Sequence, residues 1–355
     1  MAWVVAPSPL GCGRSEILGD RGDSPTDASG SSSGTSSGSS GDGSGSTSGS
    51  SSGTSESGGC AMDCTGTCMG EQCVVTLASP GAVVGLAIDS TYLYWTDGAD
   101  PGNVMKIALT GGSPITLASG VHGPFFIAVN ATSAAWTDIG DGPSMGGDVA
   151  TVALAGGAAR VLATMLNRPQ AIAIDDTEVY WANGGGWITR MDLTGAGAPM
   201  TIASGQGNPV GIAVGPASVF WTNNAAGGAG GVVSAPKAGG PPTVLAPGMG
   251  PYGIALDAAN VYWADRNAET VMRLPLGGGT AVTLATGQQG VQYLAVDATQ
   301  VYWTDSVGGN VMKIPLAGGT TTTLAFGQNQ PGPIVVGPTL VYWATYDGKL
   351  MYTTK

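Results

Sequence analysis

The sequence predicts an all-β chain folded as a seven-bladed β-propeller, and three observations carry that prediction. A Trp-centred motif recurs seven times. Around each copy four short strand-like runs recur, and clusters of Gly, Pro, Asn and Asp separate them, as expected of four-stranded blades joined by hairpins.

The motif reads YWTD at Tyr94–Asp97, AWTD at Ala135–Asp138, YWAN at Tyr180–Asn183 and FWTN at Phe220–Asn223. It returns as YWAD at Tyr262–Asp265, YWTD at Tyr302–Asp305 and YWAT at Tyr342–Thr345. The tryptophans are Trp95, Trp136, Trp181, Trp221, Trp263, Trp303 and Trp343, spaced by 41, 45, 40, 42, 40 and 40 residues. A blade of about 40 residues follows.

Each strand of the blade is legible in turn. The innermost keeps Ala between larger aliphatics in six copies (Ala87, Ala128, Ala173, Ala213, Ala255, Ala295), as suits strands crowding an axis. The motif occupies the second strand. A basic column, Lys106, Arg190, Arg273 and Lys313, marks the third. Counting outward from a two-residue turn at Asp347 and Gly348 pairs Trp343 with Tyr352 and sets Trp181 opposite Arg190 and, with one or two extra loop residues, Trp263, Trp303 and Trp95 opposite Arg273, Lys313 and Lys106, which would lie along the indole faces. A glycine pair such as Gly111 and Gly112 turns the chain into the fourth strand.

The seventh unit ends without a fourth strand, at Lys355. Residues 73–79, CVVTLAS, match fourth strands such as TTTTLAF yet precede any first strand. They are expected to complete the last blade and close the ring, so that no free blade edges remain.

Over residues 73–355 the pattern resembles the YWTD propeller family of the low-density-lipoprotein receptor group, and more loosely the propellers of secreted bacterial lipoproteins. The resemblance implies that the motif's Asp ties neighbouring blades, which places that role on Asp97, Asp138, Asp265 and Asp305, with Asn183 and Asn223 as neutral versions. Because that family typically has six blades, six is the alternative count. A carboxylate ring holding calcium fits less well, since repeat-related positions spread around a circle while calcium needs six or more converging oxygens.

Composition divides the chain into residues 1–12, a lipoprotein-like signal; 13–59, a Ser/Gly-rich tether; 60–73, a cysteine-stapled segment; and 74–355, the propeller. The tether is too polar to bury a core. Cys12 follows the apolar MAWVVAPSPLG and is the expected lipid attachment point, giving an extracytoplasmic monomer that meets the membrane only through that anchor. Cys60, Cys64, Cys68 and Cys73 are spaced unlike zinc ligands and are expected as disulfides, with three pairings open.

Net charge is −12, with no basic face, which argues against a nucleic-acid partner. No catalytic, metal or cofactor constellation is expected. The lone histidine, His122, has no repeated carboxylate partner, and Glu178 and Glu269 are the propeller's only glutamates. Ligand-binding candidates are the places where a unit breaks its own rule. Trp187 stands in a column otherwise filled by Asn103, Asp148, Gly231, Thr270, Asn310 and Lys349, and the long second-unit loop carries Asp141 and Asp148. A non-catalytic module binding a protein, peptide or glycan is therefore expected. The alternative is an extracytoplasmic hydrolase or lyase using His122.

Overall fold

The computed structural model describes residues 64–69, 72–140, 146–225 and 230–355. Cys12, Cys60, Asp141, the signal and the tether lie outside the described residues. The strands form seven antiparallel sheets, six of four strands and one of five, so the count is seven blades. Each inner strand touches the inner strand of the next blade, and the seventh touches the first.

Six blades follow one another along the chain, over residues 83–121, 124–166, 169–203, 209–248, 251–285 and 291–325. The seventh takes Ile334–Val336, Leu340–Ala344 and Leu350–Thr354 from the end of the chain and Gln72–Ala78 from its beginning. Val75 lies opposite Tyr352 and Thr76 opposite Met351. Thr67–Met69 adds a fifth, outermost strand by folding back on Gln72–Ala78, with a Cys64–Cys73 disulfide across the hairpin.

All seven motif tryptophans are buried to 2% exposure or less. Each removes roughly 200 Å² from water, a gross contribution of about 5 kcal/mol before chain entropy is counted. The inner-strand alanines prove to be the partners of the motif's first residue. Ala87, Ala173, Ala255 and Ala295 lie opposite Tyr94, Tyr180, Tyr262 and Tyr302. A methyl group facing a phenol ring leaves room for it on the shared face.

Those four tyrosines each donate their hydroxyl to an Asp in the preceding hairpin: Tyr94 to Asp89, Tyr180 to Asp175, Tyr262 to Asp257 and Tyr302 to Asp297. The same carboxylates accept the backbone N–H groups two and three residues on, closing the turn. Where the motif has Ala135 or Phe220 the turn residue is Asn130 or Gly215, and the seventh blade keeps Tyr342 but has Gly337 in the turn. Burial and the bond to carboxylate both push these phenols far above their usual range.

The register expected for the tryptophans is corrected by one residue. Lys106, Arg190, Arg273 and Lys313 lie opposite Tyr94, Tyr180, Tyr262 and Tyr302, while Trp95, Trp181, Trp263, Trp303 and Trp343 face Met105, Thr189, Met272, Met312 and Met351. The cause is the seventh-blade turn. Thr345 and Lys349 bracket a three-residue loop, with Gly348 at φ +79°, in place of a two-residue turn. A one-residue slip moves every side chain to the other face. The cations consequently reach along the sheet to the neighbouring blade: Lys106 Nζ donates to the Leu154 carbonyl, over the Tyr92 ring at 4.4 Å, and Arg273 donates to the Leu316 carbonyl.

The blade tie is also reassigned. The motif's Thr, at the third position, donates to a carbonyl at the start of the next blade: Thr96 to Phe125, Thr137 to Gln170, Thr222 to Tyr252 and Thr304 to Gly332. The motif's Asp mostly closes loops. Asp97 accepts from Asn103, Asp138 from Gly140 and Asp305 from Gly308 within their own hairpins. Asp265 reaches further, to the Met249 and Gly250 amides in the link from the fourth blade. A carboxylate at a hairpin mouth meets the nearest unpaired N–H groups first, and those belong to its own loop.

Candidate functional site: the hairpin and linker face

One hydrogen bond repeats in every blade and defines the face of interest. The first residue past the motif, or the second in the sixth blade, donates its backbone N–H to the linker entering that blade: Gly98 to Ala82, Ile139 to Gly123, Gly184 to Asn167, Asn224 to Asn208, Arg266 to Gly250, Val307 to Gln289 and Tyr346 to Asn329. Linkers and second-to-third-strand hairpins therefore share one face.

Linker glutamines bring a further layer, unmarked by the motif. Gln206, Gln288 and Gln328 accept from the indole N–H groups of Trp221, Trp303 and Trp343. The indole nitrogens of Trp95, Trp136, Trp181 and Trp263 have no partner.

His122, in the link between the first and second blades, places Nδ1 3.2 Å from Asp100 Oδ1, in the first blade's hairpin. Both side chains are more than half exposed. The carboxylate partner that the repeat pattern lacks is thus supplied by an unrepeated loop. Asp148 lies near enough to feel the imidazole charge; burial raises its carboxyl above the usual range, against the pull of the Met165 amide and His122.

Trp187 begins the third strand of its blade, opposite Asn183, and is 45% exposed. A methyl group at Gly185 would lie 3.0 Å from its Cζ3, so one ring face rests on that glycine. The ring thus lies against the glycines of its own hairpin while remaining nearly half exposed. Its column holds as well, with Asp138 opposite Asp148, Asn223 opposite Gly231, Asp265 opposite Thr270 and Asp305 opposite Asn310.

Sequence reasoning missed the other large apolar side chains exposed in linkers and hairpins of this face, namely Met249, Val307, Phe326 and Tyr346. Met249, Val307 and Phe326 occupy turn slots that other blades fill with small or polar residues, which is the signal that marks them, whereas the slot of Tyr346 holds Ile139 in the second blade. Among the described residues, no group of three or more His, Cys, Asp or Glu is placed to hold a metal, and no helix is long and apolar enough to cross a membrane.

Fold and face together define a seven-bladed β-propeller with an apolar, aromatic and acid-bearing hairpin side. No protein-family model and no curated protein sequence matches the chain. Among solved structures it is similar to virginiamycin B lyase from Staphylococcus aureus, at 14% identity and a TM-score of 0.66 over 79% of this chain and 98% of that one. A catalytically inactive variant of that lyase with quinupristin gives the same TM-score and coverage at 13% identity. A structural-genomics protein of unknown function from Bacteroides thetaiotaomicron follows, at 15% identity and a TM-score of 0.51, over 79% of this chain and 72% of that one. At such identities the likeness is one of fold.

Proposed function

We propose that the chain is a non-catalytic binding or scaffold module, working outside the cytoplasm, whose hairpin and linker face holds a protein, peptide or glycan. The observation that carries this reading is Trp187, a half-exposed indole backed by Gly185 and so held flat as a stacking surface. Met249, Val307, Phe326 and Tyr346 add exposed apolar area to the same side, where a monomer with nothing to bind would place polar residues. The Cys64–Cys73 disulfide supports an oxidising compartment, as Cys12 supports a lipid anchor. Glycan and peptide arrays probed with the wild type and Trp187→Ala test the reading. Binding that the variant loses is expected; binding that it keeps in full removes Trp187 from the site.

A second reading, a hydrolase or lyase, is favoured by the His122–Asp100 contact, since a carboxylate at Nδ1 orients an imidazole for proton transfer. Its exposure makes that orientation weak. Incubation with quinupristin, followed by mass spectrometry, is the direct test. A product that His122→Ala fails to make would establish the enzyme; unchanged quinupristin would leave binding as the function.

A further inference from the structure

On the hairpin and linker face, the fifth, sixth and seventh blades gather four large apolar side chains, Met249, Val307, Phe326 and Tyr346, each more than half exposed. Hydrogen bonds fix them along one arc. Asn267 in the fifth hairpin donates to the Met249 carbonyl, and the Gln288 N–H of the next linker donates to Glu269 in the same hairpin. Val307 donates to Gln289, Gln328 to Gly309 in the hairpin of Val307, and Tyr346 to Asn329. Phe326 begins the linker that carries Gln328 and Asn329. Apolar side chains gathered on turns, which are ordinarily polar, mark an interaction surface.

The same line of bonds continues into the first two blades, where the face becomes acidic. Gly81 donates to Gly348 in the seventh hairpin, Gly98 to Ala82 and Ile139 to Gly123. Along this path stand Asp97, Asp100, Asp138 and Asp148, the last two directly opposite each other. Among the described residues, the hairpins of these two blades and the linkers entering them hold no Lys or Arg; His122, beside Asp100, is their one basic side chain. Neutral amides orient the carboxylates without cancelling their charge: Asp97 accepts from Asn103, Asp138 from Gly140 and Asp148 from Met165.

This acidity belongs to one side of the ring. Assigned to the strand end that each lies nearest, the described residues place eight carboxylates against three Lys or Arg on the hairpin and linker face, and seven of each on the opposite face. The opposite face also pairs its charges, Lys237 with Asp175, Lys355 with Asp297 and Arg190 with Glu178. Charge is thus neutralised on one side and left standing on the other.

We propose that the hairpin and linker face docks a cationic segment of another protein, in which one or two large apolar side chains stand beside lysines or arginines. The apolar side chains seat on the arc of the fifth to seventh blades, and the cations reach the carboxylates of the first and second. A neutral glycan would leave that charge unanswered, and an acidic sugar or peptide is repelled. A second copy of the chain fits no better, since this face would meet either its own charge or a face with none. The inference rests on the proposed reading that this face binds a ligand, and narrows the ligand to one class.

Arrays of short peptides that vary independently in Lys/Arg, Asp/Glu and aromatic content, probed with the whole chain beside a glycan array, test it. Binding should concentrate on peptides that hold both an aromatic residue and several lysines or arginines, and should weaken roughly tenfold between about 50 mM and about 500 mM salt. In an anisotropy titration with one such peptide, labelled with fluorescein, the double variant Asp100→Asn, Asp148→Asn should bind about tenfold more weakly and with a shallower dependence on salt. Tyr346→Ala should weaken binding about fivefold or more while leaving the salt dependence as it was. Asp192→Asn, on the opposite face, should change neither. A preference for neutral or acidic peptides or for glycans, or an affinity indifferent to salt and to both face variants, overturns the cationic occupant and leaves the binding function standing. Self-association of the chain that Tyr346→Ala abolishes would overturn it in favour of a second copy. No binding on either array removes the binding function and this inference together.

Discussion

At the scale of single residues, the fold is held by side-chain bonds that the repeat makes in some blades and omits in others. Gln288→Leu removes the partner of the Trp303 indole, and urea denaturation should show a loss of about 1 kcal/mol. A loss indistinguishable from zero would mean that solvent satisfies the nitrogen instead. Thr304→Val removes a tie between the sixth and seventh blades at nearly constant volume and should likewise cost about 1 kcal/mol, by leaving the Gly332 carbonyl short of a donor. Ala182, Ala264 and Ala344 occupy the same motif position, so single blades manage without the tie.

At the scale of strands and hairpins, close approach is what limits substitution. Gly253→Ala would drive a methyl group to 2.4 Å from the Gln292 carbonyl oxygen, against a rigid backbone. Over-packing of this kind should cost about 1–3 kcal/mol. Gly277→Ala is its control: a methyl group there meets nothing within 4 Å, and the substitution should be neutral or stabilise by a few tenths of a kcal/mol. Equal melting temperatures for the two variants would refute the argument. Register belongs to this scale as well, since each blade's own hairpin sets which residues of its second and third strands face one another, and in the four blades that carry the cations it sets them opposite tyrosines.

At the scale of the molecule, both ends of the chain meet in the seventh blade. A chain starting at Pro80 lacks Gln72–Ala78 and exposes the edge of Leu350–Thr354; it should melt at a lower temperature and self-associate on size-exclusion chromatography. Lys355 adds an electrostatic clasp between the seventh blade and the sixth. Burial alone would raise Asp297, but the bond from Lys355 and those from Thr299, Gln300 and Tyr302 outweigh it and hold the carboxyl at about 2, below its ordinary 3.8. A depressed folded-state pKa stabilises the fold above the ordinary value, and that stability is lost as pH falls from about 4 towards about 2. The contribution is roughly 1–2 kcal/mol, and Lys355→Met should flatten the acid limb of the stability–pH curve measured by denaturation.

The sequence by itself pointed to seven blades, with six as the alternative count, to the four-strand blade and to the strand borrowed from the start of the chain. All of these follow from a period repeated often enough to average out local accidents. It also marked Trp187 and Asp148, because a residue that breaks a repeat is visible against its equivalents. The tertiary structure alone decided that the motif's Thr donates to the next blade, that cations face tyrosines and that Asp100 meets His122. Periodicity fixes which residues are equivalent. Which atoms meet depends on a single turn's length, on the unrepeated loops and on contacts between blades some 40 residues apart, and a repeat pattern encodes none of these.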